Sequence, residues 1–332
     1  MQFGIIGSGS WATALAKILT DNNHKINWWI RNGETIRHIS QRCHNPHYLS
    51  AVYFDNALLE MSSSMHYIIE QSDVLVVAVP SAYIHDALSG LNKDSFANKK
   101  VVSAIKGILP TDNKLLNDYL QQNFDVNIEN YFAVLGPCHA EEVAAEKLSY
   151  LTFSGIDEAA AVLIASHFKC NYLNTVVNHD ILGVQYAAVL KNIYALGAGI
   201  AHGLDYGDNF LSVYIANSAN EMVRFLRKAR LDDDHEGLNY AASAYLGDLL
   251  VTCYSLYSRN RTFGNMIGKG YSVKTAQLEL SMVAEGHNAS RCIYTINESL
   301  QVHMPVAHTI YKILWEHLPA AEGFKKIETF LT

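Results

Sequence analysis

The sequence predicts an α/β protein in which a doubly wound parallel sheet is followed by an all-α C-terminal domain. In the first half, short Val/Ile-rich runs without polar alternation are separated by helical stretches, which is typical of parallel strands covered on both faces. After about residue 180, long amphipathic or apolar stretches replace that alternation. A length of 332 residues suits two domains, which we place at 1–180 and 181–332.

The strands and helices follow from these patterns in chain order. The predicted strands are 3–6, 26–30, 73–79, 101–105 and 131–135, with 151–154 and 172–176 as candidate extensions of the sheet. A helix over 11–19 follows the first strand. The predicted helical stretches of the second domain are 181–201, 209–230, 238–258, 273–284 and 306–318, separated by Asp/Gly turns such as 205–208 and 232–237.

Composition excludes several classes of protein. Lys and Arg number 25 against 32 Asp and Glu, so the net charge of −7 disfavours a nucleic-acid or acidic-membrane binder. Five cysteines without a CxxC pair indicate reduced thiols rather than a disulfide framework. The first apolar run is too short for a signal peptide, and we see no run of the roughly 18 apolar residues that a membrane span needs. We therefore expect a cytoplasmic protein without an integral membrane segment.

A glycine motif follows the first predicted strand. Gly7-Ser8-Gly9-Ser10-Trp11-Ala12 has the GxGxxA pattern, and it opens a predicted helix. Gly7 permits a tight turn, Gly9 lets a pyrophosphate approach the backbone, and Ala12 keeps the helix close to the strand. The helix N-terminus offers N–H groups and a positive dipole end to phosphates. This context predicts a Rossmann-type dinucleotide site, although a tight turn alone is the alternative.

The end of the second strand bears on the choice of cofactor. An NAD site usually carries Asp or Glu there, whereas this chain has Arg31-Asn32, and an Arg can accept the 2′-phosphate of NADP. The alternative is a solvated Arg at a strand end, and Glu34 lies close by. We expect NADP(H), or use of both NADP(H) and NAD(H).

Lys191 is the only formally charged residue in the apolar stretch 181–204. Burial would depress its pKa and suit it to general acid/base work, whereas a lysine whose amine reaches solvent is the ordinary alternative. The adjacent Asn192 could orient a substrate or a cofactor amide. Lys106 follows the predicted strand 101–105, at the strand end where open α/β sheets bind ligands.

Two further segments carry polar groups suited to an anion. Ser258, Arg259 and Asn260 offer side chains and loop N–H groups that suit a phosphate. Asp248 lies in an apolar stretch and requires a cationic partner, for which Lys191 is the candidate. Residues 136–142, GPCHAEE, follow a predicted strand and include Gly136 and Cys138, but their spacing does not favour a metal site or an activated cysteine.

Nine motifs occur in one order that resembles bacterial NAD(P)-dependent glycerol-3-phosphate dehydrogenase. They are GSGSWA (7–12), AVPS (78–81), KGI (106–108), GPCHAEE (136–142), LKNIYALGAG (190–199), GLDYGDN (203–209), GDLLVTC (247–253), SRNRTFG (258–264) and VAEG (283–286). The resemblance implies interconversion of dihydroxyacetone phosphate and sn-glycerol 3-phosphate, which would supply glycerophospholipid synthesis. It departs from the usual pattern at Cys138, where the family commonly has Ser.

The resemblance also implies residue roles. Lys191 would be the general acid/base. The substrate would contact Lys106, Gly136, Cys138, Lys191, Asp248, Ser258, Arg259 and Asn260. The cofactor would contact Gly7, Gly9, Ser10, Trp11, Arg31, Lys106, Ala140, Arg259, Val283 and Glu285. No metal is implied, and an apolar helical domain makes a homodimer plausible.

Two alternatives remain open at this point. A β-hydroxyacid or 6-phosphogluconate-type dehydrogenase also carries Lys and Asn on a helix after a nucleotide domain, but its Asn lies about one turn beyond the Lys. Here Asn192 is adjacent to Lys191, and Ala195 occupies the later position. A non-catalytic nucleotide-binding sensor would bind cofactor without turnover, and it would leave Lys191 unexplained.

Overall fold

The computed structural model describes residues 1–229, 239–280 and 283–332, which divide into two compact units. Unit 1 comprises Met1–Ile105 and Lys114–Ile181, and unit 2 comprises Lys106–Asn113 and Leu182–Thr332. Lys106–Asn113 therefore belongs with the helical unit, although its place in the chain assigned it to the first domain. The predicted turn 232–237, and the predicted helical positions 230, 238, 281 and 282, lie outside the described residues.

Unit 1 contains an eight-stranded sheet of order β3-β2-β1-β4-β5-β6-β7-β8. The strands are β1 (Phe3–Ile6), β2 (Ile26–Trp29), β3 (Leu59–Ser62), β4 (Val74–Val77), β5 (Lys100–Ser103), β6 (Tyr131–Leu135), β7 (Ser149–Gly155) and β8 (Leu173–Asn178). All pairs are parallel except β6–β7, which is antiparallel. The strand order reverses between β1 and β4, which is the switch point where doubly wound sheets bind ligands.

The predicted doubly wound class is confirmed, with two differences in detail. Strand β3 was not predicted, because its sequence LEMS carries no Val/Ile run and only Leu59 is buried. The antiparallel pairing of β7 with β6 was not predicted either, since strand direction leaves no mark on a short apolar run. The helices of unit 1 are α1 (Ser10–Asp21), α2 (Gly33–Arg42), α3 (Met65–Glu70), α4 (Ile84–Leu88), α5 (Leu116–Phe124), α6 (Ala140–Ala144) and α7 (Glu158–Phe168).

From residue 182 onward the described part of unit 2 is helical, whereas its segment Lys106–Asn113 contains no helix. Its helices are α8 (Ile181–Gly203), α9 (Asp208–Ala229), α10 (Asp248–Tyr254), α11 (Arg259–Gly268), α12 (Val273–Glu279), α13 (Glu285–Leu300), α14 (Pro305–Trp315) and α15 (Ala320–Glu328). A π-helical turn over Ser243–Gly247 leads directly into α10. The polar tract at 258–264, which we predicted as a loop, forms the start of α11 instead.

Helix α8 is the central element of unit 2. By length and composition it could cross a membrane, which the sequence analysis did not expect of any stretch. However, 89% of the apolar 18-residue stretch of α8 is buried inside the protein, so its side chains pack against other parts of the protein. Core helices of large domains are apolar on all sides for this reason.

Glycines allow α11 to approach α8 at the distance of backbone contact. A Cβ at Gly264 of α11 would overlap the carbonyl oxygen of Leu196, and one at Gly199 of α8 would overlap the carbonyl oxygen of Arg261. Because both obstacles are backbone atoms, neither can rotate away. The close approach brings the N-terminus of α11, with Ser258 and Asn260, to the part of α8 that carries Lys191.

We predict that Gly264→Ala lowers the free energy of unfolding by about 3 kcal/mol, because α11 must move away from α8. Gly207→Ala is the matched control, since a Cβ at Gly207 meets nothing within 4 Å. Urea denaturation of the two variants gives the comparison. Equal stability of both variants would contradict the close packing described here.

A buried carboxylate holds the N-terminus of α14. Glu221 of α9 accepts hydrogen bonds from the backbone N–H groups of Val306, at 2.6 Å, and Ala307, at 3.2 Å. The hydroxyl of Tyr194 on α8 donates to the same carboxylate at 3.3 Å. Burial raises the pKa of Glu221 to about 7, and the two backbone donors oppose that rise. Three helices are therefore joined through one group that titrates near neutrality.

We predict that Glu221 makes the unfolding free energy depend on pH. Its folded pKa of about 7 exceeds the ordinary value of 4.5, so its contribution is fully present below about pH 4.5 and is lost as the pH rises through 7. Between pH 4.5 and pH 8 the wild type should lose roughly 3 kcal/mol of unfolding free energy relative to Glu221→Gln. Denaturant titrations across that range measure it, and a difference independent of pH would contradict the assignment.

Candidate active site

The glycine loop of unit 1 connects β1 to α1. Gly7 has a φ of +123°, and a Cβ there would lie 2.8 Å from the carbonyl oxygen of Ala78, so only glycine suits the turn. The indole N–H of Trp28 donates to the carbonyl oxygen of Gly7 at 2.7 Å. At Gly9 a Cβ would meet nothing within 4 Å. The backbone at Gly9 is therefore open to a ligand.

The N-terminus of α1 offers uncapped N–H groups next to Gly9. Gly9 is the N-cap residue, no side chain of the described residues caps the helix, and its first turn carries no acidic residue. Ser10 is buried and Trp11 is half-buried in this first turn. An anion is the ligand that satisfies such groups and the positive end of the helix dipole. The residues present thus fit the pyrophosphate of a dinucleotide.

Arg31 follows β2 as an exposed residue at the predicted strand end. The next residue, Asn32, is the N-cap of α2 and accepts a hydrogen bond from the N–H of Glu34 at 2.8 Å. The Glu34 carboxylate lies 3.6 Å from the guanidinium of Arg37. Glu34, whose charge would repel a phosphate near Arg31, is therefore paired with Arg37 on α2.

The loop between β6 and α6 carries the other predicted residues of unit 1. Gly136 has a φ of +141°, and a Cβ there would lie 2.7 Å from the carbonyl oxygen of Tyr150. Cys138 is buried, and Ala140 is the first residue of α6. Since β4, β5 and β6 are parallel to β1, this loop leaves the same edge of the sheet as the glycine loop.

A buried ion pair is the main feature of unit 2. Lys191 on α8 and Asp248 at the start of α10 are 3% and 1% exposed, and the amine contacts Oδ1 of the carboxylate. Burial of either charge alone would be costly, and the pair offsets that cost, as predicted for Asp248. The preceding π-helical turn is a kind of irregularity that is common at functional sites.

The second carboxylate oxygen of Asp248 has no hydrogen-bond partner among the described residues, although it is buried. The nearby Thr252 hydroxyl donates to the backbone carbonyl of Asp248 and lies 3.5 Å from Oδ1. An unsatisfied buried acceptor costs about 1–3 kcal/mol. A ligand hydroxyl that donates to Oδ2 of Asp248 would remove this cost.

A chain of amide hydrogen bonds passes through Asn192, the residue that follows Lys191 in the chain. Gly286 N–H donates to Oδ1 of Asn260 at 2.9 Å, and Nδ2 of Asn260 donates to Oδ1 of Asn192 at 2.9 Å. Nδ2 of Asn192 then donates to the backbone carbonyl of Lys106 at 2.7 Å. The sequence suggested that Asn192 could orient a substrate or a cofactor amide. In the structure its side chain links α8, α11 and the segment that starts at Lys106.

The remaining predicted residues lie at helix N-termini of unit 2. Ser258 is the N-cap of α11, where its hydroxyl accepts from the N–H of Arg261 at 3.3 Å, and Arg259 is the half-buried first residue. Glu285 begins α13, and Val283 lies two residues before it. Sequence reasoning missed the Gly286 N–H, because its partner Asn260 is 26 residues away in the chain.

Each unit gathers its own share of the predicted residues. Unit 1 holds Gly7, Gly9, Ser10, Trp11, Arg31, Gly136, Cys138 and Ala140, and unit 2 holds Lys106, Lys191, Asp248, Ser258, Arg259, Asn260, Val283 and Glu285.

Among the described residues, no three His, Cys, Asp or Glu side chains form a group that could hold a metal ion. Burial raises the pKa of the Cys253 thiol on α10, so that thiol is not an activated nucleophile.

Comparison with known proteins identifies both halves of the chain. The family described as NAD-dependent glycerol-3-phosphate dehydrogenase N-terminus matches residues 2–161, and the C-terminus family of that name matches residues 180–325. The glycerol-3-phosphate dehydrogenase [NAD(P)+] of Macrococcus caseolyticus is 32% identical over 98% of this chain and 97% of its own length. That of Bacillus pumilus is 34% identical over 94% of this chain and 89% of its own.

A solved structure agrees in fold. The glycerol-3-phosphate dehydrogenase of Coxiella burnetii superposes with a TM-score of 0.90 over 98% of both chains, at 24% identity. The two family matches together span all nine of the motifs on which the resemblance was based. This chain belongs to the NAD-dependent glycerol-3-phosphate dehydrogenase family.

Proposed function

We propose that this chain is an NAD(P)-dependent sn-glycerol-3-phosphate dehydrogenase, which interconverts dihydroxyacetone phosphate and sn-glycerol 3-phosphate. The observation that carries the proposal is the buried Lys191–Asp248 pair with its unpartnered carboxylate oxygen. Relatives of this name match nearly the full length of the chain. The product would feed glycerophospholipid synthesis.

Lys191 is the proposed general acid in ketone reduction and the general base in the reverse direction. The reduced nicotinamide, when bound, supplies a hydride to C2 of dihydroxyacetone phosphate. As C2 gains the hydride, its carbonyl oxygen gains negative charge and takes a proton from the Lys191 ammonium. The buried amine is suited to this step, because charge interactions are stronger away from water.

Asp248 would have two tasks. Its Oδ1 holds the Lys191 amine, which fixes the direction from which the proton arrives. Its Oδ2 is available for a substrate hydroxyl, which a glycerol or dihydroxyacetone skeleton provides. Such positioning lowers the activation barrier, because the reacting atoms are already aligned in the bound complex.

The phosphate of the substrate would be held at the N-terminus of α11. Ser258 caps this helix, and Arg259 and Asn260 are its first two residues. A helix N-terminus with an arginine suits a phosphate dianion through both dipole and charge. Lys106, Gly136 and Cys138 are the further substrate contacts that we propose from the family motifs.

The cofactor contacts that we propose follow from the family motifs. They are Gly7, Gly9, Ser10, Trp11, Arg31 and Ala140 in unit 1, with Lys106, Arg259, Val283 and Glu285 in unit 2. Arg31 would face the 2′-phosphate of NADP(H), and the nearby Glu34 carboxylate has Arg37 as a partner. We therefore propose use of both cofactors with a preference for NADP(H).

Location and assembly are also proposals. The five cysteines are free, which suits a reducing compartment such as the cytoplasm. We also propose a homodimer, in keeping with the apolar character of the helical domain.

We predict that Lys191→Met lowers kcat for dihydroxyacetone phosphate reduction by a factor of about 100 to 10,000, as expected for loss of a general acid. This variant leaves the Asp248 charge buried without its partner, so it also loses stability. Lys191→Met combined with Asp248→Asn removes both charges, restores stability and stays inactive. Cofactor oxidation at 340 nm and urea denaturation measure the two effects.

Lys17→Met is the matched control. Lys17 is a buried lysine on α1 that is paired with Asp21 and Glu146, so its loss affects stability without removing the proposed acid. An active double variant would overturn the role of Lys191. The wild type is assayed with NADPH and with NADH, and a higher kcat/KM with NADH would contradict the role of Arg31.

A further inference from the structure

The side chain of Asn45, which lies outside every sequence motif, forms hydrogen bonds to the glycine loop of unit 1. Asn45 follows α2 and is fully buried. Its Nδ2 donates to the carbonyl oxygen of Ser8 at 3.1 Å and to Oγ1 of Thr13 at 2.9 Å. Asn45 therefore joins the loop before α1 to the first turns of that helix.

The orientation of the Asn45 amide is unambiguous. Its Oδ1 accepts hydrogen bonds from the backbone N–H groups of His47, at 3.0 Å, and Tyr48, at 3.3 Å. These groups can only donate and the Ser8 carbonyl can only accept, so a flipped amide would fail on both sides. The amide is thus fixed by the turn that follows it and acts on the loop through Nδ2.

Thr13 extends this restraint to the next peptide of the loop. Its hydroxyl accepts from Asn45, which leaves its own proton to donate to the carbonyl oxygen of Gly9 at 2.9 Å. The carbonyl of Ser8 is therefore held by Asn45, and the carbonyl of Gly9, which also accepts the backbone N–H of Thr13 at 2.9 Å, is held a second time by the hydroxyl. In a trans peptide the N–H points opposite to the C=O, so the N–H groups of Gly9 and Ser10 are held as well.

We propose that Asn45 and Thr13 are positioning residues for the cofactor pyrophosphate, an inference that rests on the proposed dinucleotide site. They fix the Gly9 and Ser10 N–H groups in the direction that a phosphate requires before it arrives. A loop without this restraint would have to be ordered during binding, at a cost in affinity. Gly9 is open on its Cα side, which is compatible with a close phosphate there.

The test measures the Kd of NADPH and of NADH by fluorescence titration in the absence of substrate. Thr13→Val keeps the shape of the side chain and removes the hydroxyl, so it should raise the Kd of both cofactors about tenfold. A factor of about ten corresponds to the upper end of the net free energy of one hydrogen bond. Thr13→Ser keeps the hydroxyl and should bind like the wild type. At saturating cofactor, kcat and the KM for dihydroxyacetone phosphate should change less than about twofold.

Thr20→Val is the matched control for Thr13→Val. Thr20 is buried on the same helix, and its hydroxyl donates to the carbonyls of Ala16 and Lys17, away from the loop. Asn45→Asp keeps the acceptor for His47 and Tyr48 but loses the donor to Ser8, so it should also weaken binding. Asn27→Asp, at a buried asparagine on β2 that bonds Gln71 and Ser72, controls for a buried carboxylate.

The outcomes separate the two proposals. Weaker cofactor binding in Thr13→Val and Asn45→Asp, with Thr13→Ser and both controls near the wild type, supports the positioning role. Thr13→Val binding as tightly as Thr20→Val would overturn it. A wild-type protein that binds neither NADPH nor NADH would instead overturn the proposed dinucleotide site.

Discussion

The ion pair between Lys191 and Asp248 is the interaction on which the arrangement of unit 2 depends. It places two charges inside an apolar helical unit, where each is tolerable only because the other is present. Helix α8 must therefore keep Lys191 facing the start of α10. The glycine contact between α8 and α11, and the amide chain through Asn260 and Asn192, hold the neighbouring elements around that point.

The same pair leaves part of the buried Asp248 carboxylate without a hydrogen-bond partner among the described residues. One oxygen of the Asp248 carboxylate is engaged by the lysine, and the other is buried without a partner among the described residues. Native proteins rarely leave a buried acceptor unsatisfied, and the exceptions cluster at functional sites. In the function that we propose, a substrate hydroxyl that donates to Oδ2 would satisfy this acceptor, while Oδ1 holds the Lys191 amine.

Unit 1 makes a different contribution, because its site consists mainly of backbone. The turn at Gly7, the open Cα side of Gly9 and the uncapped N-terminus of α1 form an anion site with little need for charged side chains. Its precision depends on restraints behind the loop, such as the indole of Trp28 and the amide of Asn45. The proposed proton donor in unit 2 and the proposed pyrophosphate site in unit 1 therefore depend on different kinds of interaction.

The sequence predicts the features that leave a local mark. Gly7 and Gly9 stand between a strand and a helix, and Lys191 is the only formal charge in its apolar stretch, so both were identifiable. Ser258 was predicted as a loop ligand and is a helix cap, since a cap and a polar loop share the same residue types. Asn45, Glu221 and the placement of Lys106–Asn113 in unit 2 depend on partners far along the chain, which no local pattern records.

The most direct test of this account follows the hydride itself. Dihydroxyacetone phosphate is incubated with NADPH or NADH deuterated at one face of nicotinamide C4, and the glycerol 3-phosphate formed is examined by NMR and mass spectrometry. We expect one deuterium at C2 from one of the two labelled faces and none from the other. Product without deuterium from either face, or with deuterium at another carbon, would contradict direct hydride transfer to the ketone carbon.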